Sequence, residues 1–196
     1  MGRGGIEARG QSCGNGAKAL DGLVAGYYDR VLPLELDVTD EKNVKAAIEQ
    51  AHQHFGRLDI VLSNAGYGVM GAIEEASLDE TRAAFETNVL GAQSVVKAAV
   101  PLLRTQQSGH ILAVSSMAGL RPFPLGGVYV ATKFALEGMM ETLAQEVVEF
   151  GIKAGTSERI DARVDTVACE RQAATLREND SLVNWEKWTC SICQSA

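Results

Sequence analysis

The residues with the clearest potential for chemistry lie in one stretch, between His110 and Phe150. Tyr129 and Lys133 are four residues apart, and on a helix this spacing places the phenol and the ammonium on one face. Ser116 closes a short apolar run upstream and can reach the same space across a loop rich in glycine and proline. A hydroxyl, a phenol and a cation that converge there can perform acid/base chemistry on a carbonyl or an alcohol.

Each of these residues also has a purely structural interpretation. Tyr129 can be an aromatic residue that packs on the preceding loop, and Lys133 can be a solvated surface lysine. Asn88 can satisfy backbone groups at a kink in a helix. Ser115 is the less favoured of the two adjacent serines, because side chains alternate along a strand and Ser115 points away from Ser116.

Alternating strands and helices are predicted to position these side chains. The apolar runs predict strands over Leu32–Asp37, Leu58–Leu62 and Ile111–Val114. Each run is followed by residues at helical spacing. The resulting β-α-β-α-β-α order predicts right-handed crossovers and a parallel sheet in an α/β fold.

Helix boundaries are marked by capping residues in the sequence. These are Thr39 and Asp40 before the first helix, Gly56 after it, the Ser77–Glu80 capping box before the second, and Gly151 after the third. Asn88 and Gly91 interrupt the apolar stripe of the second helix, and Pro101 is predicted to kink or end it. The third helix, from about 128 to 150, is predicted to bury Phe134.

Composition excludes several classes of function. The chain has 196 residues and a net charge of -7, which argues against nucleic acid or an anionic membrane as a partner. Its apolar runs fall short of the roughly 20 residues that span a bilayer, and a cytoplasmic location is expected. Cys190 and Cys193 form a CxxC without a second ligand pair, so we predict no metal site.

Residues 31 to 153 closely resemble the classical short-chain dehydrogenase/reductase family. The motifs occur in the family order, and this order makes the resemblance specific: Asp37-Val38, then Asn64-Ala65-Gly66, Asn88, Ser116, and Tyr129-x-x-x-Lys133. The resemblance implies a Rossmann-like, doubly wound parallel sheet. It also implies an oxidoreductase that interconverts a carbonyl and a secondary alcohol with NAD or NADP, without choosing between the two cofactors.

The resemblance further implies a role for each matching residue. Tyr129 would be the general acid/base, Ser116 would position the substrate oxygen, and Asn88 would hold a water that relays protons from Lys133. Lys133 would lower the pKa of the Tyr129 phenol and hydrogen-bond the nicotinamide ribose, and Tyr129 would also be a cofactor-binding residue. The remaining matches would contact the adenosine part of the cofactor: Asp37 and Val38 at the adenine, and Asn64, Ala65 and Gly66 along the adenosine side.

Two regions depart from the family pattern as the sequence presents it. Residues 1–18 are rich in glycine but lack a recognisable strand and helix around the glycines, so we predict a disordered segment. Residues 19–153 would form a partial Rossmann-like domain, incomplete at both ends. Residues 154–196 show neither strand-like runs nor helical periodicity, and an irregular tail is expected.

These departures leave a second hypothesis open. The chain could be an inactive, truncated or frame-damaged relative that keeps only a surface for association. The resemblance implies a homodimer or homotetramer through the helices near 88–104 and 128–150, which size-exclusion chromatography tests. For the enzyme hypothesis the partner is a small carbonyl or alcohol substrate.

Overall fold

The computed structural model describes residues 32 to 158 of the chain. The glycine-rich segment 1–18, the chain beyond 158 and the Cys190–Cys193 pair lie outside the described residues, so those expectations stay predictions. No helix in the described part is both long and apolar enough to cross a membrane.

Three strands form one sheet in the order β1-β2-β3, with helices in the crossovers. The strands are β1 (Ile60–Ser63), β2 (Gly109–Ser115) and β3 (Ile152–Glu158). The longer helices are α1 (Glu41–Phe55), α2 (Leu78–Phe85), α3 (Ala92–Gln106) and α4 (Gly127–Val147). A π-helical segment (Glu86–Gly91) joins α2 to α3, and 3₁₀ turns span Met117–Gly119 and Val148–Phe150. The predicted α/β class with a parallel sheet is confirmed.

The parallel pairing of β1 with β2 decides where the functional side chains meet. Ile60 lies opposite His110, and Ser63 lies opposite Ala113. Both strands therefore end at the same edge of the sheet, and the loops that follow them leave from neighbouring positions. β1 has β2 as its single neighbour among the described strands.

The predicted helix ends are confirmed by their capping geometry. The Asp40 carboxylate accepts hydrogen bonds from the first-turn amides at Lys42 and Asn43, and Gly56 ends α1 with a φ of 77°. Ser77 and Glu80 form the predicted reciprocal capping box at the start of α2. These local devices stabilise helix ends wherever the surrounding chain permits a helix.

The predicted strand over Leu32–Asp37 is wrong. Residues 32 to 37 are not paired in a strand, because no described strand lies beside them to complete a hydrogen-bond ladder. β1 also begins at Ile60 rather than at Leu58. The Gln106 side-chain amide pairs with both the N–H and the C=O of Leu58, at 3.2 and 2.8 Å, in place of a neighbouring strand.

Pro101 does not end α3, which continues to Gln106, and the alternative of a kink at Pro101 stays a prediction. The predicted burial of Phe134 is wrong. Phe134 is 45% exposed, although Met140, Leu143 and Val147 on the same helix are buried. The apolar side chains of α4 cover more than one face, so apolar character did not distinguish the buried face from the exposed one.

The chain does not become irregular at Lys153, as the sequence led us to expect. β3 runs through Glu158 beside β2, although Ala154, Gly155, Thr156 and Ser157 lack a strand-like pattern. Ile152 is 2% exposed and anchors the start of this strand in the core. Pairing with β2 supplies the hydrogen bonds that local sequence preference does not favour.

Candidate active site

Lys133 is the centre of the candidate site, and its ammonium is buried. The residue is 5% exposed, and Nζ donates a hydrogen bond of 2.8 Å to the Val114 carbonyl near the end of β2. The same Nζ lies 5.7 Å from the centre of the Tyr129 ring. The interpretation of Lys133 as a solvated surface lysine is therefore wrong, and the one-turn spacing does bring the cation next to the phenol.

Burial lowers the pKa of Lys133 from its ordinary value of 10.5, because the charged form loses hydration. The negative charge of Glu137, one turn further along α4, opposes this effect and raises the pKa. Buried titratable groups with a shifted pKa are found more often at functional sites than elsewhere.

Asn88 is almost completely buried and joins three parts of the structure. Its Oδ1 accepts from the Tyr67 N–H at 2.9 Å, and its Nδ2 donates to the Tyr67 C=O at 2.9 Å and to Thr132 Oγ1 at 3.0 Å. Thr132 Oγ1 in turn donates to the Tyr129 C=O at 2.7 Å. Asn88 therefore links the loop after β1 to the first turn of α4, which carries Tyr129. The π-helical segment supplies this asparagine, and such segments are often found at functional sites.

The Asn64-Ala65-Gly66 turn lies against this group. A Cβ atom placed on Gly66 would come within 3.0 Å of Asn88 Oδ1 and 3.6 Å of Lys133 Nζ. Asn64 and Gly66 are exposed, while Ala65 packs on the core. The structure thus brings together Gly66, Asn88, Tyr129 and Lys133 at the edge where the strands end.

Ser116 begins the loop directly after β2, two residues beyond the carbonyl that holds Lys133. Its backbone is extended, and its Oγ accepts a hydrogen bond of 3.2 Å from the Ala118 N–H. The residue is half-buried, whereas Ser115 is 2% exposed and points to the interior. The predicted alternation of the two serines is confirmed.

Asp37 and Val38 come shortly before α1, and Val38 packs against the π-helical segment. Asp37 Oδ1 accepts from both the N–H and the hydroxyl of Thr39, and these bonds lower the pKa of the carboxyl. Val38 is 3% exposed, and a Cβ on Gly91 would come within 2.8 Å of its side chain. The Val38 side chain thus belongs to the core, and a contact with adenine would have to use its backbone.

We predict that Asn88→Ala lowers the free energy of unfolding by about 2 kcal/mol, because it leaves two partly buried backbone groups of Tyr67 without partners. Asn43→Ala is the matched control, since the Asn43 side chain accepts one backbone bond, from Asp37. We expect about half the loss there. Urea denaturation measures both, and equal losses would contradict a special role for Asn88 in holding the loop.

A family model described as short chain dehydrogenase matches residues 10 to 157. Its match begins inside residues 1–18, the glycine-rich segment that departs from the family pattern. Gly10, Gly14 and Gly16 there retain the glycine spacing of the TGxxxGxG turn, without its threonine. We missed this signal because no apolar strand precedes the glycines.

Curated proteins and solved structures agree with this match. Oxidoreductase BOA17 of Botryotinia fuckeliana is 41% identical over 150 residues, which cover 76% of this chain and 55% of that protein. Human 17-beta-hydroxysteroid dehydrogenase type 1 is 39% identical over 119 residues, covering 61% and 36%. The chain thus spans about half the length of the first of these and about a third of the second.

Two solved structures of cofactor-bound proteins have the same fold. ElxO with NADP bound gives a TM-score of 0.72 at 27% identity, covering 87% of this chain and 68% of that one. NAD+-bound xylitol dehydrogenase gives 0.70 at 26% identity, covering 78% and 59%. With the family model matching three quarters of its length, the chain belongs to the short-chain dehydrogenase/reductase family.

Proposed function

We propose that the protein is an NAD(P)-dependent oxidoreductase that interconverts a carbonyl and a secondary alcohol. The observation that carries this proposal is the buried Lys133 ammonium, 5.7 Å from the Tyr129 ring centre, at the edge of the sheet where β1 and β2 end. A phenol can give a proton to a substrate oxygen or take one from it. The buried ammonium beside it supplies a positive charge close to the oxygen atoms that exchange this proton.

In this proposal Tyr129 gives its proton to the substrate carbonyl oxygen, or takes one from the alcohol in the reverse reaction. Ser116 donates a hydrogen bond to the same oxygen and orients it. Asn88 holds the loop after β1 against α4, and it would also hold a water that relays protons from Lys133. The hydride is supplied by, or accepted on, the nicotinamide cofactor.

The residues at this edge fit a dinucleotide. Gly66 keeps the space next to Lys133 free of a side chain, so that a ribose could approach the ammonium. Lys133 would then hold the nicotinamide ribose, the Asn64-Ala65-Gly66 turn would line the adenosine side, and Asp37 would accept from the adenine amino group. The available residues do not choose between NAD and NADP.

The loops beside Tyr129 indicate the kind of substrate. Met70 and the Tyr129 ring both lie within 4.0 Å of the position that a Cβ on Gly68 would occupy. Ile73 packs against Gly127 and the Phe123 ring against Gly126, at the start of the helix that carries Tyr129. All three apolar side chains are more than two-fifths exposed. Gly71 N–H donates to the Leu125 C=O at 2.8 Å, which holds the two loops together. An apolar wall next to the reacting groups favours a carbonyl attached to an apolar body.

Oxidation of NADH or NADPH with straight-chain methyl ketones of increasing length tests the whole proposal. We expect kcat/KM to rise by up to about fourfold for each methylene group that the wall covers. In Ile73→Ser and Phe123→Ser, kcat/KM should rise less with each added methylene group of the ketone. Val148→Ser is the control, because Val148 is also an exposed apolar residue but follows the other end of α4, roughly 28 Å from Tyr129.

Two results would contradict different parts of the proposal. If neither cofactor binds at millimolar concentration, the oxidoreductase activity is excluded for this chain. If a cofactor is oxidised but the rate does not depend on ketone length, the activity stands and the apolar wall does not contact the substrate.

A further inference from the structure

Glu137 is a carboxylate next to the candidate site to which no role has been assigned. It lies one turn after Lys133 on α4, so both side chains extend from the same face of the helix. Glu137 Oε2 accepts a hydrogen bond of 2.8 Å from Thr156 Oγ1 on β3. The carboxylate is therefore held between the helix and the strand that continues past Lys153.

The other oxygen of this carboxylate is buried and without a hydrogen-bond partner among the described residues. The Ser115 hydroxyl at the end of β2 is in the same condition. Both groups lie close to Gly119: a Cβ placed there would come within 2.8 Å of Ser115 Oγ and 3.2 Å of Glu137 Oε1. The glycine leaves room for a carboxylate to be held inward, where water screens its charge less than at an exposed position.

The groups around Lys133 show that the Glu137 carboxylate is the negative charge that affects this ammonium. Among the described residues, the titratable side chains that face Lys133 are Tyr129 and Glu137, both on α4. The other elements packed around it present uncharged groups, namely the Val114 carbonyl from β2, the Asn88 amide from the π-helical segment and Gly66 from the loop after β1. Glu137 is therefore the negative charge placed to offset the loss of hydration at Lys133.

We propose that Glu137 is a positioning residue that keeps Lys133 in its charged form beside Tyr129, with Thr156 holding the carboxylate in place. It touches neither substrate nor cofactor in this role. Its effect passes through Lys133 to the phenol, and it sets the upper pH at which the ammonium can still act. This inference rests on the proposed function for its consequence in catalysis, but the charge state of Lys133 can be measured without turnover.

Lysine ε-carbon NMR titration of the full chain tests the proposal directly. The Lys133 signal is assigned by its loss in Lys133→Arg. We expect Glu137→Gln to lower the titration midpoint of Lys133 by about 0.5 to 1 pH unit, because an attractive charge is replaced by a neutral group of the same shape. Glu141→Gln removes the same charge from an exposed position one turn further on, and should leave the midpoint unchanged.

An unchanged midpoint in Glu137→Gln, or an equal fall in Glu141→Gln, would overturn the proposal. If Glu137→Gln does not fold, Thr156→Val tests the proposal instead. This variant keeps β3 and the Glu137 charge but removes the hydrogen bond from Thr156 that holds the carboxylate. In Thr156→Val we expect a smaller fall in the Lys133 titration midpoint, and no fall would overturn the proposal.

If the chain also oxidises NAD(P)H, the alkaline limb of the kcat/KM profile of Glu137→Gln should move to lower pH by the same amount. Absence of turnover would count against the proposed function and leave the NMR result intact.

Discussion

Tyr129→Phe should abolish most of the oxidoreductase activity while leaving the fold and cofactor affinity intact. The substitution removes one hydroxyl from a half-buried ring at the start of α4 and keeps the aromatic surface that packs near Gly68. A positioned general acid/base typically contributes 10²- to 10⁴-fold to a rate. We expect a loss of kcat in that range.

Steady-state turnover and the fluorescence of bound NAD(P)H together check this expectation. A loss of kcat with an unchanged cofactor Kd would identify the hydroxyl as the proton-transfer group. If kcat falls less than about tenfold, another group carries the proton, and the assignment of Tyr129 is wrong. If the cofactor Kd also rises strongly, the ring acts in binding, and the loss of rate does not report on proton transfer.

Lys133→Met should have two opposite effects, a large loss of activity and a gain in stability. Activity should fall at least 10²-fold, because the phenol of Tyr129 would lose the adjacent positive charge. Stability should rise by about 1 kcal/mol at neutral pH, since methionine fills a similar volume without burying a charge, although it gives up the bond to Val114.

The gain in stability of Lys133→Met should decrease as the pH rises, and this direction follows from the lowered pKa of Lys133. Burial lowers this pKa in the folded chain, so the cost of burying the charge is fully present below the folded pKa. Above that value the folded lysine is neutral, and the cost is relieved as the pH approaches the unfolded value near 10.5. The stability difference between Lys133→Met and the unchanged chain should therefore shrink at alkaline pH.

Thermal unfolding at neutral and alkaline pH measures this difference. Lys97→Met serves as the control, because Lys97 is an exposed lysine on α3 whose ion pair with Glu41 is at the surface. Exposed pairs of this kind contribute little, so both activity and stability should change little. A Lys133→Met variant less stable than the unchanged chain at neutral pH would contradict the view that burying the ammonium costs stability.

Sequence reasoning predicted the local features of this protein well, and the reason is that they depend on neighbouring residues. Asp40, Gly56, Ser77 and Glu80 mark helix ends through hydrogen bonds that span at most four positions. The alternation of strands and helices predicted the parallel sheet, and the order of the motifs led to the correct family. The assigned roles of the site residues remain predictions that the variants above test.

The errors occur where distant contacts override local preference. Leu32–Asp37 has the composition of a strand but no described partner, whereas the weak pattern of 154–158 becomes a strand because β2 lies beside it. The Gln106 side chain, 48 positions away, forms hydrogen bonds with the backbone of Leu58, and β1 therefore begins only at Ile60. Hydrogen-bond partners of this kind are not visible from any single stretch of the chain.

The sequence by itself determined which side chains could react: a phenol and a cation four residues apart, with a serine at the end of the preceding strand. Helical periodicity alone places Tyr129 near Lys133. Tertiary structure decided that Lys133 is buried, that Asn88 joins the loop of Tyr67 to α4, and that Glu137 is held inward by Thr156. These features depend on the packing of α4 against the ends of β2 and β3. Burial removes water from charged groups, and it is this loss of hydration that turns an ordinary lysine into one with a lowered pKa.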